Sequence, residues 1–214
     1  MRAERQRARR DDEKEARRRA LLDAARDRFE RLPYAEVRMV DVAEAAGLAK
    51  GTAFFYFPTK EALFLALLEE LLAGWLEVLD GELEAGGRWS PPRVARLFTQ
   101  TLVERPILSR LLTVLSTVLE HNVDEAQVLR FKQMLLERLG RTGALLERRL
   151  ELATGEGGRL LLRIDALIIG LRQLADAPPA AAAVLARPEM APLRVDFARE
   201  LELTLLTLFA GMSR

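Results

Sequence analysis

Along most of the chain apolar residues recur three and four apart, the spacing that gathers side chains on one side of a helix, and strand-like alternation is absent. The pattern predicts an all-α protein. In RRRALLDAARDRFERL, Leu22, Ala25, Phe29 and Leu32 share one face with charges opposite, and Pro33 ends the run. A short second helix runs from about Met39 to Ala46 and stops at Gly47, which tolerates the positive φ of a sharp exit. A third, from about Lys50 to Phe57, is stopped by Pro58. Thr59 is placed as the N-cap, with Glu61 in the first turn, of a long helix that opens KEALFLALLEELLAGWLEVL and ends near EAGGRW.

Farther on, Ser90 with Pro91 and Pro92 starts another helix, Pro106 interrupts it, and EHNVDE separates it from one spanning roughly Asp124 to Leu152. The loop TGEGGR leads to a helix from about Arg159 to Ala177. APPAAAAVLARPEMAP reads as a proline-bracketed connection, and the last helix covers about Leu193 to Met212. The segments LLLRIDALIIGLRQL and FARELELTLLTLFAGM are apolar on more than one side, with Gly170 permitting close helix approach. Such helices need partners on several sides, so two from each of two chains are expected to form the four-helix interface of a symmetric homodimer.

With 214 residues, half of them hydrophobic, the chain has enough apolar mass for a real core. The formal charge is only +1, so attraction to a polyanion must come from uneven placement. The front is basic: Arg2, Arg5, Arg7, Arg9 and Arg10 face only Glu4 in the first ten residues, and Arg17, Arg18 and Arg19 follow. Residues 1–14 read as a basic arm, either a solvated, disordered tail that simply adds phosphate attraction or a segment that enters a minor groove. With no cysteine and a single histidine, His121, disulfides, thiol nucleophiles, thiolate metal sites and most imidazole-based metal or nucleophile–base pairs are gone. No pair of carboxylates stands out as an acid and a base, and GEGGR lacks the lysine and hydroxyl of a phosphate loop. No catalytic residue, metal or cofactor is expected. The N-terminus is too charged for a signal peptide and no uncharged apolar run approaches the ~20 residues of a membrane span, so the expected location is the cytoplasm.

The informative stretch is AAGLAKGTAFFYFPTKEAL, residues 45–63. Four consecutive aromatics on a helix of ~3.6 residues per turn point in four directions, so they cannot all enter one core. One account buries the short helix on most sides, since aromatic rows are more often core than site. The other notes two short helices joined at a glycine turn behind a third, a helix-turn-helix. There Ala43 is small where helices cross, and Ala53, Phe57 and the adjacent Phe54 face inward. Lys50, Gly51, Thr52, Phe55 and Tyr56 then face outward, with no acid between Ala46 and Lys60. Lysine and tyrosine donate to phosphates, threonine can read a base edge, and a ring packs on a thymine methyl.

From LLDAARDRFERLPYAEV through MVDVAEAAGLAKGTAFFYFPTKEAL, about residues 21–63, the sequence resembles the TetR family of transcriptional regulators. The resemblance implies that Lys50–Phe57 is the recognition helix and that Tyr56 and Lys60 contact the phosphate backbone. It departs from the family pattern where Phe54 replaces a tyrosine, where Val37 and Arg38 replace hydroxyl residues, and at Val40 and Pro33. Arg38 is the candidate to supply a phosphate contact in their place. Beyond residue 63 the resemblance is architectural and implies a helical part that binds a small molecule and dimerises through its last two long helices.

The expected organisation is therefore a helix-turn-helix DNA-binding domain over 15–63 and a larger helical ligand-binding and dimerisation domain over 64–214. Thr113, Ser116 and Thr117 lie among Leu112, Leu115, Val118 and Leu119, a mixture that suits a small apolar effector with one polar end or, equally, a filled core. His121 either caps a helix end or joins that ligand site. The expected function is a ligand-released homodimeric repressor that binds double-stranded DNA at a near-palindromic operator. Two alternatives stay open: a helix-turn-helix regulator without an effector, and a helical lipid- or partner-binding module that no longer reads DNA.

Overall fold

The structure, a computed structural model, describes the backbone of residues 2–212 and the side chains of residues 11–211. The described residues form helices and turns, with no strand among them. In chain order the helices are α1 (Arg2–Arg31), α2 (Met39–Ala45), α3 (Lys50–Tyr56), α4 (Lys60–Glu84), α5 (Pro91–Val103), α6 (Pro106–Leu115), α7 (Glu125–Leu150), α8 (Glu156–Ala175), α9 (Pro179–Leu185) and α10 (Phe197–Met212). They divide into two compact units, one of residues up to Glu70 with Leu115–Leu129, the other of Leu71–Val114 with Arg130–Arg214.

The first unit is organised by α1. Leu22, Ala25 and Phe29 of the predicted stripe are buried, joined by Leu21, with Val42 and Ala43 of α2, Ala53 of α3, and Leu63, Phe64 and Leu67 of α4, whereas Leu32 at the end of the stripe is only half-buried. Each large side chain so removed from water contributes roughly 1.5–3 kcal/mol before entropy is counted. Phe29 and Tyr34 both meet the Phe64 ring edge-on, at 5.5 and 5.1 Å between centroids. Glu70 takes Arg19 at 2.6 Å and Arg26 at 3.0 Å. Thr59 caps α4 by accepting from the Ala62 amide at 3.0 Å and donates to the Asn122 carbonyl at 3.2 Å.

The basic arm departs from the expected tail. Its backbone continues α1 without a break from Arg2, while the side chains of Arg2, Arg5, Arg7, Arg9 and Arg10 lie outside the described residues. The segment has no apolar stripe, yet Arg, Ala, Glu, Gln and Lys are the strongest helix formers, and Arg18 pairs with Glu15 one turn away at 3.6 Å.

In the second unit, Trp75 of α4 donates its indole N–H to the Thr101 hydroxyl at 2.9 Å and meets Phe98 edge-on, joining α4 to α5. Buried Asp80 accepts from Thr142 at 2.6 Å and from Arg141 at 2.9 Å, so its charge is paired where α7 crosses α4. Within the chain, a close helix approach is made by a different glycine pair. Gly170 is exposed with open space around it, whereas a Cβ on Gly157 would run into the backbone carbonyl of Gly143, so α7 and α8 cross at that glycine pair. The α8 N-terminus begins at Glu156, earlier than expected, because the Glu147 carboxylate accepts from the Gly155 and Gly157 amides at 2.8 and 3.0 Å.

The proline-bracketed connection also carries structure: α9 and a 3-10 stretch, Pro188–Leu193. Arg194 ties them together, donating to the carbonyls of Leu185, Ala186 and Arg187 that end α9. Arg149 does the same for α4, through the carbonyls of Leu83, Glu84 and Ala85. In both places a guanidinium supplies the donors that a helix C-terminus lacks.

Candidate nucleic-acid interface

α2 and α3 are each seven residues long, too short to persist alone, and are held by the turn between them. Gly47 adopts φ +67, and the Leu48 amide returns to the Ala43 carbonyl at 2.9 Å, which closes the C-terminus of α2 and turns the chain. Ala49 is extended and starts α3, whose Ala53 and following Phe57 are buried; the Arg18 guanidinium lies 5.7 Å from the Phe57 ring centroid. This inward pair fixes which way the rest of α3 faces.

Lys50, Gly51 and Phe55 are exposed, Thr52 and Tyr56 half-buried, with no acid on the helix. Phe55 is 76% exposed and stands edge-on to Tyr56, 5.6 Å between centroids. Phe54 was expected inside and is 37% exposed instead. Residue 54 lies ~100° around the helix from Ala53, and its ring leans to the outer flank, where the Lys50 ammonium, one turn earlier, sits 5.9 Å from its centroid. The outward surface thus carries three rings rather than two.

Arg38 occupies the N-cap position of α2 and is exposed. Its Nε and one Nη donate to the two carboxylate oxygens of Asp41, at 2.8 and 2.7 Å. That bidentate bond holds the Asp41 carboxyl below the usual carboxylate range. A guanidinium gripped along its Nε side still has donors on the opposite edge, so the pairing aims Arg38 without exhausting it. The spacing of Arg38 and Asp41, one helical turn, was visible in the sequence; the pairing was not drawn from it.

Lys60 opens α4 half-buried. Its ammonium donates to the carbonyls of Tyr34 and Val37, at 2.9 and 3.1 Å, and lies 4.1 Å from the centre of the Tyr34 ring. Burial pulls its pKa below the ordinary lysine value, with Glu61 acting in the opposite sense. The Tyr34 hydroxyl donates to Glu61 at 3.0 Å, and burial followed by that carboxylate raises the phenol's pKa.

The candidate effector residues are not brought onto one helix face. α6 ends at Leu115, so Thr113 is helical and donates to the Arg110 carbonyl at 2.7 Å, while Ser116 and Thr117 fall in a turn and His121 in a 3-10 stretch, Leu119–His121. Ser116, Thr117 and His121 are exposed. Within the second unit a cleft of about 480 Å³ is lined by Trp89, Ser90, Pro91, Arg149, Glu151 and Phe209, among others. No described helix is long and apolar enough to cross a membrane.

Comparison with known proteins follows the same division. A family model described as bacterial regulatory proteins, tetR family, matches residues 21–67, and one described as tetracyclin repressor-like, C-terminal domain, matches residues 69–214. The transcriptional regulator RutR of Escherichia coli is 41% identical over 64 residues, 30% of this chain and 30% of RutR. EthR of Mycolicibacterium smegmatis is 39% identical over 61 residues, 28% of this chain and 27% of EthR. The matched stretch therefore spans less than a third of either relative. The fatty acid degradation regulator FadR from Bacillus halodurans has the same fold, with a TM-score of 0.54 at 16% identity over 89% of this chain and 94% of that one. These are regulators of transcription and not enzymes, and with one family model covering most of its length the chain belongs to the TetR family of bacterial transcriptional regulators.

Proposed function

We propose that this regulator is a homodimeric repressor whose two α3 helices enter successive major grooves, about 34 Å apart, on a near-palindromic operator. The observation that carries the proposal is the outer face of α3: Phe55 is 76% exposed beside Tyr56 and Lys50, on a helix without acid. Lys50, Tyr56 and Arg38 supply phosphate contacts; Gly51 lets the backbone approach closely; Thr52 and Phe55 meet base edges.

Dimerisation is supported by α8 and α10. Leu160, Ile164 and Ile168 are buried within the chain, as are Leu201, Leu205 and Phe209, yet Leu162 and Leu174 of α8 and Leu203 of α10 stay exposed. Helices that bury one apolar side and display another suit a four-helix interface between two copies. A small effector in the second unit releases DNA by favouring a dimer with its α3 helices too far apart; only a difference in affinity between the two states achieves this.

Selection of duplexes from a random pool by the purified chain tests the proposal. One enriched inverted repeat is expected; a pool that stays random after several rounds rules out sequence-specific DNA binding.

A further inference from the structure

The Lys60 ammonium is placed as an internal strut. It donates to Tyr34 O at 2.9 Å and Val37 O at 3.1 Å and faces the Tyr34 ring at 4.1 Å. The segment it grips is a three-residue 3-10 turn, Tyr34–Glu36, which closes through only two backbone bonds, Glu36 N to Pro33 O and Val37 N to Tyr34 O. The Tyr34 carbonyl, which already accepts from the Val37 amide, accepts a second time from the ammonium, whose further donor reaches the Val37 carbonyl just beyond the turn. Tyr34 is in turn fixed by Glu61 at its hydroxyl and by Phe64 at its ring.

The carbonyl of Val37 belongs to the peptide unit that carries the Arg38 amide. Val37 is buried, Arg38 is the N-cap of α2, and the Arg38 carbonyl receives the Asp41 and Val42 amides at 3.1 and 3.2 Å. A continuous path thus runs from the Lys60 ammonium through the Val37 peptide to the start of α2, and from there to the guanidinium that Asp41 orients. We propose that Lys60 serves DNA binding as a positioning residue, fixing the Tyr34–Val37 turn and through it Arg38, and is not itself a phosphate contact. The proposal rests on the DNA-binding function proposed above and replaces the phosphate role that the family resemblance implies for this lysine.

The two roles differ in a double-mutant cycle on the full-length chain, with the operator duplex recovered from the pool. Affinity and its salt slope are measured for the wild type, Lys60→Met, Arg38→Ala and the double variant, after urea titration has confirmed that each is folded. For a positioning residue, Lys60→Met weakens binding about tenfold in the wild-type background and less than about twofold once Arg38 is gone, with no further change in slope. A lysine that meets a phosphate lowers the slope by about 0.9 in both backgrounds, with additive losses, and that result overturns the proposal. So does Lys60→Met with unchanged affinity. Hydrogen exchange supplies an independent readout without DNA: the Glu36 and Val37 amides, which close the turn, exchange faster in Lys60→Met, and unaltered protection also overturns the strut. If Lys60→Met does not fold, Lys60→Gln, which keeps an uncharged donor, enters the same cycle. A wild-type chain that binds no duplex, while the exchange result holds, contradicts the DNA-binding function and leaves the strut standing as a structural feature only.

Discussion

A phenyl ring left 76% exposed, as at Phe55, adds little to folding because most of its area never leaves water. Phe57, two residues on, is buried beneath the Arg18 guanidinium. Phe57→Ala is therefore expected to cost about 3–5 kcal/mol and Phe55→Ala less than about 0.5 kcal/mol, compared by urea midpoints at fixed slope. The exposure of Phe55 and Lys50 was legible because Ala53 and Phe57, four apart, define an inner side; Thr52 and Tyr56, expected outward with them, are half-buried. The exposure of Phe54 was not legible, since a residue on the boundary between inside and outside is decided by what its flank offers, here Lys50. Lys60 escaped a local reading for another reason: its acceptors, Tyr34 and Val37, are more than twenty residues away. The Arg38–Asp41 pair is robust to acid. The bond from Arg38 holds the Asp41 carboxyl below the ordinary aspartate value, so its contribution is present above that ordinary value and is lost only as pH falls through the lower, folded one.

At the scale of elements, turns carry the specification. Gly47 stands at φ +67 with open space around its α-carbon, so Gly47→Ala meets no neighbour and pays only for left-handed backbone, about 1–2 kcal/mol, readable as a drop in urea midpoint. On α8, burial raises the pKa of Asp165 while Lys132 opposes the shift. A raised carboxylate stabilises the fold fully below the unfolded value and loses that contribution as pH rises through the folded one. Asp165→Asn is accordingly expected to be more stable than the wild type at pH 7, with the gap closing toward pH 4; equal midpoints at pH 7 would refute the assignment. Most helices were legible from apolar spacing and proline stops. The first turns of α1 and all of α9 were not, because one has no apolar stripe and the other none of its residues buried, so periodicity had nothing to detect. The Gly143–Gly157 crossing was hidden for the opposite reason: two glycines fourteen residues apart reveal contact only once both helices are placed.

For the whole molecule, the proposed homodimer and palindromic operator would link assembly to DNA binding, since a palindrome is met at full strength only by two copies. Leu174→Arg with Leu203→Arg places charge on the exposed faces of α8 and α10 and is expected to give a monomer by analytical ultracentrifugation, with operator binding weakened though α3 is untouched. A double variant that still sediments as a dimer would place the interface elsewhere. The central claim is narrower: the outer side of α3 meets DNA. It is tested most directly by titrating the selected duplex at one salt concentration with the wild type and with a chain carrying Phe55→Ala and Tyr56→Ala, the fold of each checked by urea. The expected result is a Kd raised about a hundredfold by the pair of substitutions, from contacts worth roughly 1–3 kcal/mol each. Equal Kd values for the two chains would contradict the account.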